Sequence, residues 1–409
     1  MTTVLHVLSQ RPQQTGSGIT LDAFVRHAAA LGWRQHVVVG VPAQERTVAV
    51  GDLPEANIHP LLFETPELPF PVPGMSDVMP YCSTCFSGMD TATLTAYIEA
   101  WTKHLREVIA QTKPDVIHAH HLWLVSSLIK DLAPTTPVVN QCHATGFRQM
   151  ELCPHLAPRV TAGCRRNERF LVAHDGQAKE LVARLGVDAG RVSVIGAGYH
   201  QEAFHFREGV DRSVPRVAYA GKTSRAKGVP WLLDAVALLS KRIPDVVLEI
   251  AGSGAGEEAA AVRQRAEALG SHVRLHGQLA QHDLADLFRC SRVCVLPSFY
   301  EGLPLVLVEA MACGCRLVAT ELPSIAASRL SELRPWMTTV PLPRLRNVDE
   351  PFDRDLPAFT SNLADAMQHA LEQPPANPAD PAYCETLAAF TWEAVFGRVE
   401  HDWRELLAN

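Results

Sequence analysis

The 409-residue sequence predicts an α/β protein built from two Rossmann-like domains. Three observations carry that expectation. Short apolar runs alternate with helical stretches of ten or more residues, the pattern of parallel strands buried between helical layers. The alternation begins at residue 4 and restarts at residue 216, after a polar link through Arg212-Ser-Val-Pro215. At roughly 100 to 200 residues per domain, the length favours two cores over one. Apolar residues make up 47% and charged residues 20%, which excludes a fibrous or wholly disordered chain. The expected domains are residues 1–205 and 206–390, followed by a terminal segment, 391–409.

The first domain opens with a strand over residues 4–8, an amphipathic helix over 21–31 and a strand over 35–40 beyond the Gly32 stop signal. Residues 48–90 are rich in proline (Leu68-Pro-Phe-Pro-Val-Pro-Gly74) and read as an irregular excursion, a length at which loops are often functional. A helix over 91–111, a strand over 115–118, a helix over 123–131 and strands over 138–141 and 170–173 follow. The second domain reads as strands over 216–220, 246–251, 273–276, 293–296 and 317–319. Helices over 230–243, 257–269, 283–290 and 304–313 separate them. Residues 330–355 lose periodicity and read as surface loop, and a last helix covers 392–407.

The net charge of −7 argues against binding nucleic acid by bulk charge. No basic n-region precedes an apolar stretch at the start, and no run reaches about 18 apolar residues, so neither export nor a membrane span is expected. A cytoplasmic protein follows. Ten cysteines are too sparse for a disulfide scaffold and are expected as thiols. Cys82-Ser-Thr-Cys85 is a CxxC, but Cys153, His155 and Cys164 offer only irregular spacing for the remaining ligands of a zinc site. No metal is assigned.

Ligands of open α/β sheets collect outside the carboxyl ends of the strands, so residues just after strands are the first site candidates. Gly16 and Gly18, between the first strand and helix, would let the backbone approach an anion. A flexible turn explains them equally well. In Gly221-Lys222-Thr-Ser-Arg225-Ala-Lys227-Gly228 three cations stand beside glycines, enough charge to hold a diphosphate without a metal. In PSFYEGLPLVLVEAMACG, Pro304 suits a first helical position, which would aim the Leu305 and Val306 amides at phosphate oxygens. Glu301 precedes that helix, whereas Glu309 lies inside it among apolar neighbours and must find a partner, either an internal arginine or a sugar hydroxyl. His118, His120 and His121 follow one strand and His143 the next, and 13 of the 18 histidines precede Phe206. His143 has the strongest claim to a chemical role because it directly follows a strand end.

The E-x7-E spacing of Glu301 and Glu309 inside that segment, the preceding CVLP and the basic loop AGKTSRAKGVPWLLDAVALL closely resemble the retaining glycosyltransferases of family 4. The likeness extends through DVIHAHHLW, the His143 segment, RVSVIGAGYHQEAF and VRLHGQLAQHDLADLFRCSRVCVLPS. The resemblance implies the GT-B fold, two Rossmann-like domains facing across a cleft, with the terminal helix packing back towards the first domain. It implies that Lys222 and Lys227 hold the diphosphate of a nucleotide sugar, that Glu301 contacts the sugar and Glu309 the ribose. Gly16 and Gly18 match a glycine pair facing the diphosphate, and His143 a histidine beside the transferred sugar. Lys222 stands where the family usually has arginine, which loses the planar fork. Gly146 stands where a common HGTD version has aspartate.

The reaction so implied is retaining transfer from a nucleotide sugar, UDP-sugar being the commonest carrier, by a front-face substitution in which the leaving diphosphate takes the acceptor's proton. No cofactor is required. The partners expected are the donor and a small-molecule, lipid or glycan acceptor, with contact at a membrane surface left open. A nucleotide-sugar epimerase or phosphorylase on the same fold competes with this reading. So, more weakly, do a zinc-stabilised binding protein and a dinucleotide oxidoreductase. The last rests on Gly252-Ser-Gly254-Ala-Gly256, whose third glycine comes one residue too early for GxGxxG.

Overall fold

The computed structural model describes residues 2–12, 15–45, 48–76, 79–254 and 256–408. The chain divides into two compact units, residues 1–196 with 392–409, and residues 197–391. The first boundary therefore falls nine residues before the one expected at 205/206, because Tyr199 and Phe204 bury their rings with the second unit's core.

In the first unit, β1 (Thr3–Leu8), α1 (Gly16–Ala30) and β2 (Arg34–Pro42) form the opening βαβ. The excursion expected to be irregular instead carries β3 (Ile58–Phe63) and a two-stranded pair, β4 (Pro73–Gly74) with β5 (Thr84–Cys85). Asp77 and Val78, within it, lie outside the described residues. Then come α2 (Thr91–Thr112), β6 (Val116–His120), α3 (Leu124–Leu132), β7 (Val138–Gln141), α4 (Ala144–Leu152), α5 (Ala157–Cys164), β8 (Arg169–Val172), α6 (Asp175–Leu185) and β9 (Val192–Val194). The seven strands pair in parallel in the order β3-β2-β1-β6-β7-β8-β9. Val4, Leu5, Val7 and Leu8 are all buried, so β1 presents apolar side chains to both faces, as a central parallel strand must.

The second unit contains β10 (Arg216–Ala220), α7 (Val229–Leu239), β11 (Val247–Ala251), α8 (Gly256–Ala268), β12 (Val273–Gly277), α9 (Gln281–Arg289), β13 (Val293–Leu296), α10 (Val306–Ala312), β14 (Arg316–Thr320), the short α11 (Pro323–Ala326), β15 (Met337–Val340), α12 (Leu356–Glu372) and α13 (Pro381–Ala388). Its six strands run in the order β12-β11-β10-β13-β14-β15, again all parallel. The stretch 330–355 is not simply loop. Part of it forms β15, which extends the sheet beyond β14, and α12 packs Phe359, Leu363 and Met367 into the core. The polar link is also fastened down: the Arg212 guanidinium donates to the carbonyls of Arg289 (2.7 Å), Gly314 (2.6 Å) and Cys313.

The terminal α14 (Trp392–Ala408) is part of the first unit. Its Trp392, Val395, Phe396, Val399 and Trp403 share a core with Phe24 and Ala28 of α1. The Trp403 indole donates to His118 Nδ1 (3.2 Å), and Trp33 donates to Glu400 (2.9 Å). No helix among the described residues is long and apolar enough to cross a membrane.

Strand order reverses at β1/β6 in the first sheet and at β10/β13 in the second. At such a switch point the loops leaving neighbouring strands part in opposite directions and open a crevice at the strands' carboxyl ends.

Candidate active site

In the second unit the loops after β10 and β13 meet at this crevice. Phe299 N–H donates to Ala226 O (3.0 Å), joining the basic loop to the PSFYEG segment. Gly228 makes the approach feasible. It holds φ +71°, and a Cβ there would lie 2.0 Å from the Pro297 carbonyl oxygen. Gly228→Ala is therefore expected to destabilise the second unit by several kcal/mol, about 1 from the left-handed backbone and the rest from displaced loop contacts. A melting temperature within a degree or two of wild type would contradict this packing.

The loop's three cations part company. Lys227 Nζ pairs with Glu301 Oε1 (2.8 Å) and donates to Tyr300 O (3.2 Å). The same Oε1 accepts from the buried Ser298 hydroxyl (2.7 Å), so Glu301 is held from two sides by one oxygen. Lys222 is exposed, and among the described residues nothing pairs with its ammonium. Its backbone is set by Tyr219, whose hydroxyl donates to Lys222 O (2.7 Å) from a buried position. Arg225 stacks its guanidinium 4.9 Å from the centre of the Trp231 ring, while its amide donates to Glu258. Its guanidinium is thus held against an aromatic face, unlike either lysine.

Glu309 sits on α10 beside the buried Leu307, Val308 and Ala310. No hydrogen bond or ion pair among the described residues reaches its carboxylate, and burial pushes its pKa up to about 7. Among the described residues no arginine pairs with it. Part of the expected helix start needs correction. The helix begins at Val306, so Pro304 lies just outside it, and the Leu305 amide is taken up by Leu303 O (2.9 Å). Only the Val306 amide, of the two expected, is left without a partner among the described residues.

In the first unit α1 starts at Gly16, five residues before the position read from the sequence. Gly16 and Gly18 thus occupy its first turn rather than a flexible turn, and Thr15 caps it, accepting from Gly18 N–H (3.2 Å). A Cβ on Gly16 would meet nothing within 4 Å, so its surface is open to a ligand. Gln13 and Gln14 of that turn lie outside the described residues. Arg11, in the same turn, pairs with Glu45 and lies 5.1 Å from the Tyr81 ring centre.

The strand before the histidines runs two residues further than expected. His118 and His120 therefore point into the sheet layers as part of β6, and only His121 follows it. Trp403 accounts for His118. His143 is the N-cap of α4, and burial lowers its pKa to about 4, so it is neutral at ordinary pH. Its Nε2 is solvent-excluded and unpaired, although the ring as a whole keeps some exposure.

The remaining motifs have structural explanations. Gly252 carries φ +131°, and a Cβ on it would lie 1.8 Å from Gly221 O, so it serves the contact between neighbouring strand-end loops. Ala255 of that glycine run lies outside the described residues. All ten cysteines are free of disulfides, and no three metal-ligating side chains among the described residues come together, Cys82 and Cys85 included. Ser298 and Tyr219 are the supporting residues that sequence reasoning missed. Ser298 stands three residues before Glu301, but only the fold shows that its hydroxyl turns towards the carboxylate.

Residues 15–198 match the family described as glycosyl transferase 4-like domain, and residues 214–332 the family described as glycosyl transferases group 1. The D-inositol 3-phosphate glycosyltransferase 2 of Catenulispora acidiphila is 28% identical over 274 residues, covering 59% of this chain and 64% of that protein. The D-inositol 3-phosphate glycosyltransferase of Pseudarthrobacter chlorophenolicus is 31% identical over 234 residues, covering 50% and 54%. The chain thus spans less than two thirds of the length of these curated relatives. Among solved structures, HepE of Anabaena in complex with UDP-glucose superposes with a TM-score of 0.65 at 15% identity, covering 99% of this chain and 100% of that one. Sucrose-phosphate synthase from Thermosynechococcus elongatus gives 0.62 at 19%, covering 100% of both. With one family match in each unit and the whole fold shared with these structures, the chain belongs to the family 4 type of group 1 glycosyltransferases, enzymes of the GT-B fold.

Proposed function

We propose that this protein transfers a hexosyl or N-acetylhexosaminyl group from a nucleoside diphosphate sugar, UDP-sugar foremost, to a hydroxyl acceptor with retention of anomeric configuration. The observation that carries the proposal is Glu309: a half-buried carboxylate with no partner among the described residues, at the switch point that also holds Lys222, Lys227 and Glu301. A carboxylate so placed is satisfied by hydroxyl donors, which a ribose supplies as a vicinal pair. Lys222 and Lys227 take the diphosphate, with the Val306 amide in support, and Glu301 takes hydroxyls of the sugar through the oxygen that Ser298 and Lys227 leave free. From the first unit, Gly16 and Gly18 are assigned to the diphosphate and His143 to the transferred sugar.

In the front-face substitution proposed, the bond from the anomeric carbon to the diphosphate breaks while the acceptor oxygen approaches the same face. The acceptor's proton passes to the departing phosphate oxygen. The lysines stabilise the charge that grows on the leaving group, a contribution exerted mainly in the transition state. His143, neutral, can donate to or accept from a sugar hydroxyl without adding a charge. We place its work in the cytoplasm, as the sparse, scattered spacing of its cysteines suits a reducing compartment.

The test is an assay with UDP-glucose, the ligand of the HepE complex, and D-inositol 3-phosphate, the acceptor named for the curated relatives. Proton NMR reads the anomeric configuration of the product. An α-linked product from the α-linked donor supports retention, and a β-linked product overturns it. Because Lys222 and Lys227 supply the countercharge, turnover is expected to persist in excess EDTA. Full loss in EDTA, restored by magnesium or manganese, would reassign the phosphate site.

A further inference from the structure

The carboxyl end of β6 holds a feature that the roles above leave unused. His121 adopts φ +70°, a left-handed backbone that non-glycine residues enter at a cost of roughly 1–2 kcal/mol. The conformation is locked from every side. Its N–H donates to Gln141 O (3.0 Å), and its carbonyl accepts from Ser126 Oγ (2.6 Å) and Asn140 Nδ2 (2.9 Å). Gly146 lets the first turn of α4 close on this bend, since a Cβ there would lie 2.9 Å from Leu122 O. That closure brings Thr145 Oγ1 to 3.2 Å from His121 Nδ1.

The lock delivers the His121 ring to His143, with ring centroids 4.6 Å apart. His121 is 3% exposed, yet its Nε2 has no partner, and neither has the buried Nε2 of His143. Leaving one buried polar atom unpaired costs about 1–3 kcal/mol, so two on adjoining rings beside a strained backbone mark a place built for a ligand. A metal is not that ligand, because no third ligating side chain among the described residues joins them. Two neutral imidazoles can offer one N–H and one lone pair, and a hydroxyl, donor and acceptor at once, satisfies both.

We infer that His121 is a second imidazole of the substrate site, binding a sugar or polyol hydroxyl together with His143 through the two Nε2 atoms. The inference rests on the glycosyl-transfer reading and adds a residue to it. Thr145 occupies Nδ1, which leaves Nε2 as the His121 nitrogen that meets the ligand. Gly146 is then part of the device, because any side chain at that position would push α4 away from the bend.

The test uses the full chain labelled with ¹⁵N-histidine, with UDP and UDP-glucose as probes. Imidazole signals are assigned from His121→Asn and His143→Asn spectra. Asparagine tolerates the left-handed backbone, so His121→Asn is the variant expected to fold. In wild type, UDP-glucose should move the Nε2 signals of both histidines, and UDP alone should leave His121 unmoved. His121→Asn should turn over UDP-glucose about 30-fold more slowly, with UDP affinity within about twofold of wild type, the loss expected of a charge-neutral hydrogen bond made to the sugar. Thr145→Val should change the tautomer signature of His121 and lower turnover without loss of UDP affinity. Binding of UDP-glucose with His121 signals unmoved, or an unchanged kcat in His121→Asn, overturns the inference and leaves the reaction standing. Wild-type protein that neither binds nor turns over UDP-glucose overturns the UDP-sugar reading and the inference with it.

Discussion

Glu309→Gln is expected to stabilise the protein above pH 7 while cutting kcat/KM for the donor by roughly a hundredfold. The two effects share one cause. The carboxylate is half-buried without a partner among the described residues, and its pKa in the folded protein is raised from 4.5 to about 7. A carboxyl group whose folded value exceeds its unfolded one binds protons more tightly when folded, so its favourable contribution is full below about pH 4.5 and is lost as pH rises through 7. Holding the charge inside at pH 8 therefore costs about 3 kcal/mol, from a shift of about 2.5 units at 1.36 kcal/mol each. Glutamine removes that charge. Calorimetric melting should show the variant several degrees more stable at pH 8 and no more stable at pH 4. Catalysis moves the other way, because an amide replaces the acceptor that two hydroxyls need, at about 1.5–3 kcal/mol for hydrogen bonds to a charged group. A variant equally stable at both pH values would show that the charge is already compensated. A variant with wild-type kcat/KM would remove Glu309 from the site.

The same wild-type carboxylate predicts proton release. Below pH 7 much of Glu309 is protonated, and a ligand that requires the ionised form must expel the proton on binding. Titration calorimetry of UDP at pH 6 in buffers of different ionisation enthalpy should resolve that release, and Glu309→Gln should abolish it.

Glu309 was legible because a lone carboxylate stood in an apolar helical run, and such a residue demands a partner wherever it sits. The strands beneath it were legible for the same kind of reason: β13 is an uninterrupted apolar run, and β10 is one after its first residue, Arg216. Two of the edge strands escape that logic. β3 carries His59 and Pro60 and is half exposed, and β15 presents two threonines, so neither shows the continuous apolar run of a central strand. The proline-first rule misplaced the start of α10 because the Leu305 amide turns back to Leu303 before the helix begins. Arg225 and Lys227 are indistinguishable as cations in a list of residues. Only the structure separates their surroundings, Trp231 beside one and Glu301 beside the other. His121 could be noticed in sequence as one of three clustered histidines. Its left-handed backbone comes from hydrogen bonds to Gln141, Ser126 and Asn140, which no local pattern announces.

Lys227→Ala is expected to lower kcat by a factor of about 10²–10³, the range for removing one preorganised group from developing transition-state charge. The free protein already orients this ammonium through Glu301 Oε1 and Tyr300 O, so little reorganisation is needed when a diphosphate arrives. The mutation also changes Glu301. With Lys227 gone, the carboxylate keeps only the Ser298 hydroxyl on that oxygen, and its hold on the sugar weakens. The two residues should therefore behave as one unit. In a cycle of Lys227→Ala, Glu301→Gln and the double variant, the combined loss in kcat/KM should fall short of the product of the single losses by a factor of about 10 or more, a coupling within the 0.5–3 kcal/mol seen for side chains in contact. Lys227→Arg keeps the charge but not the compact geometry between Glu301 and Tyr300, and should recover only part of the rate. Single losses that simply multiply would assign Lys227 to the diphosphate and Glu301 to the sugar as separate contacts, and the ion pair between them would then be a property of the empty site alone.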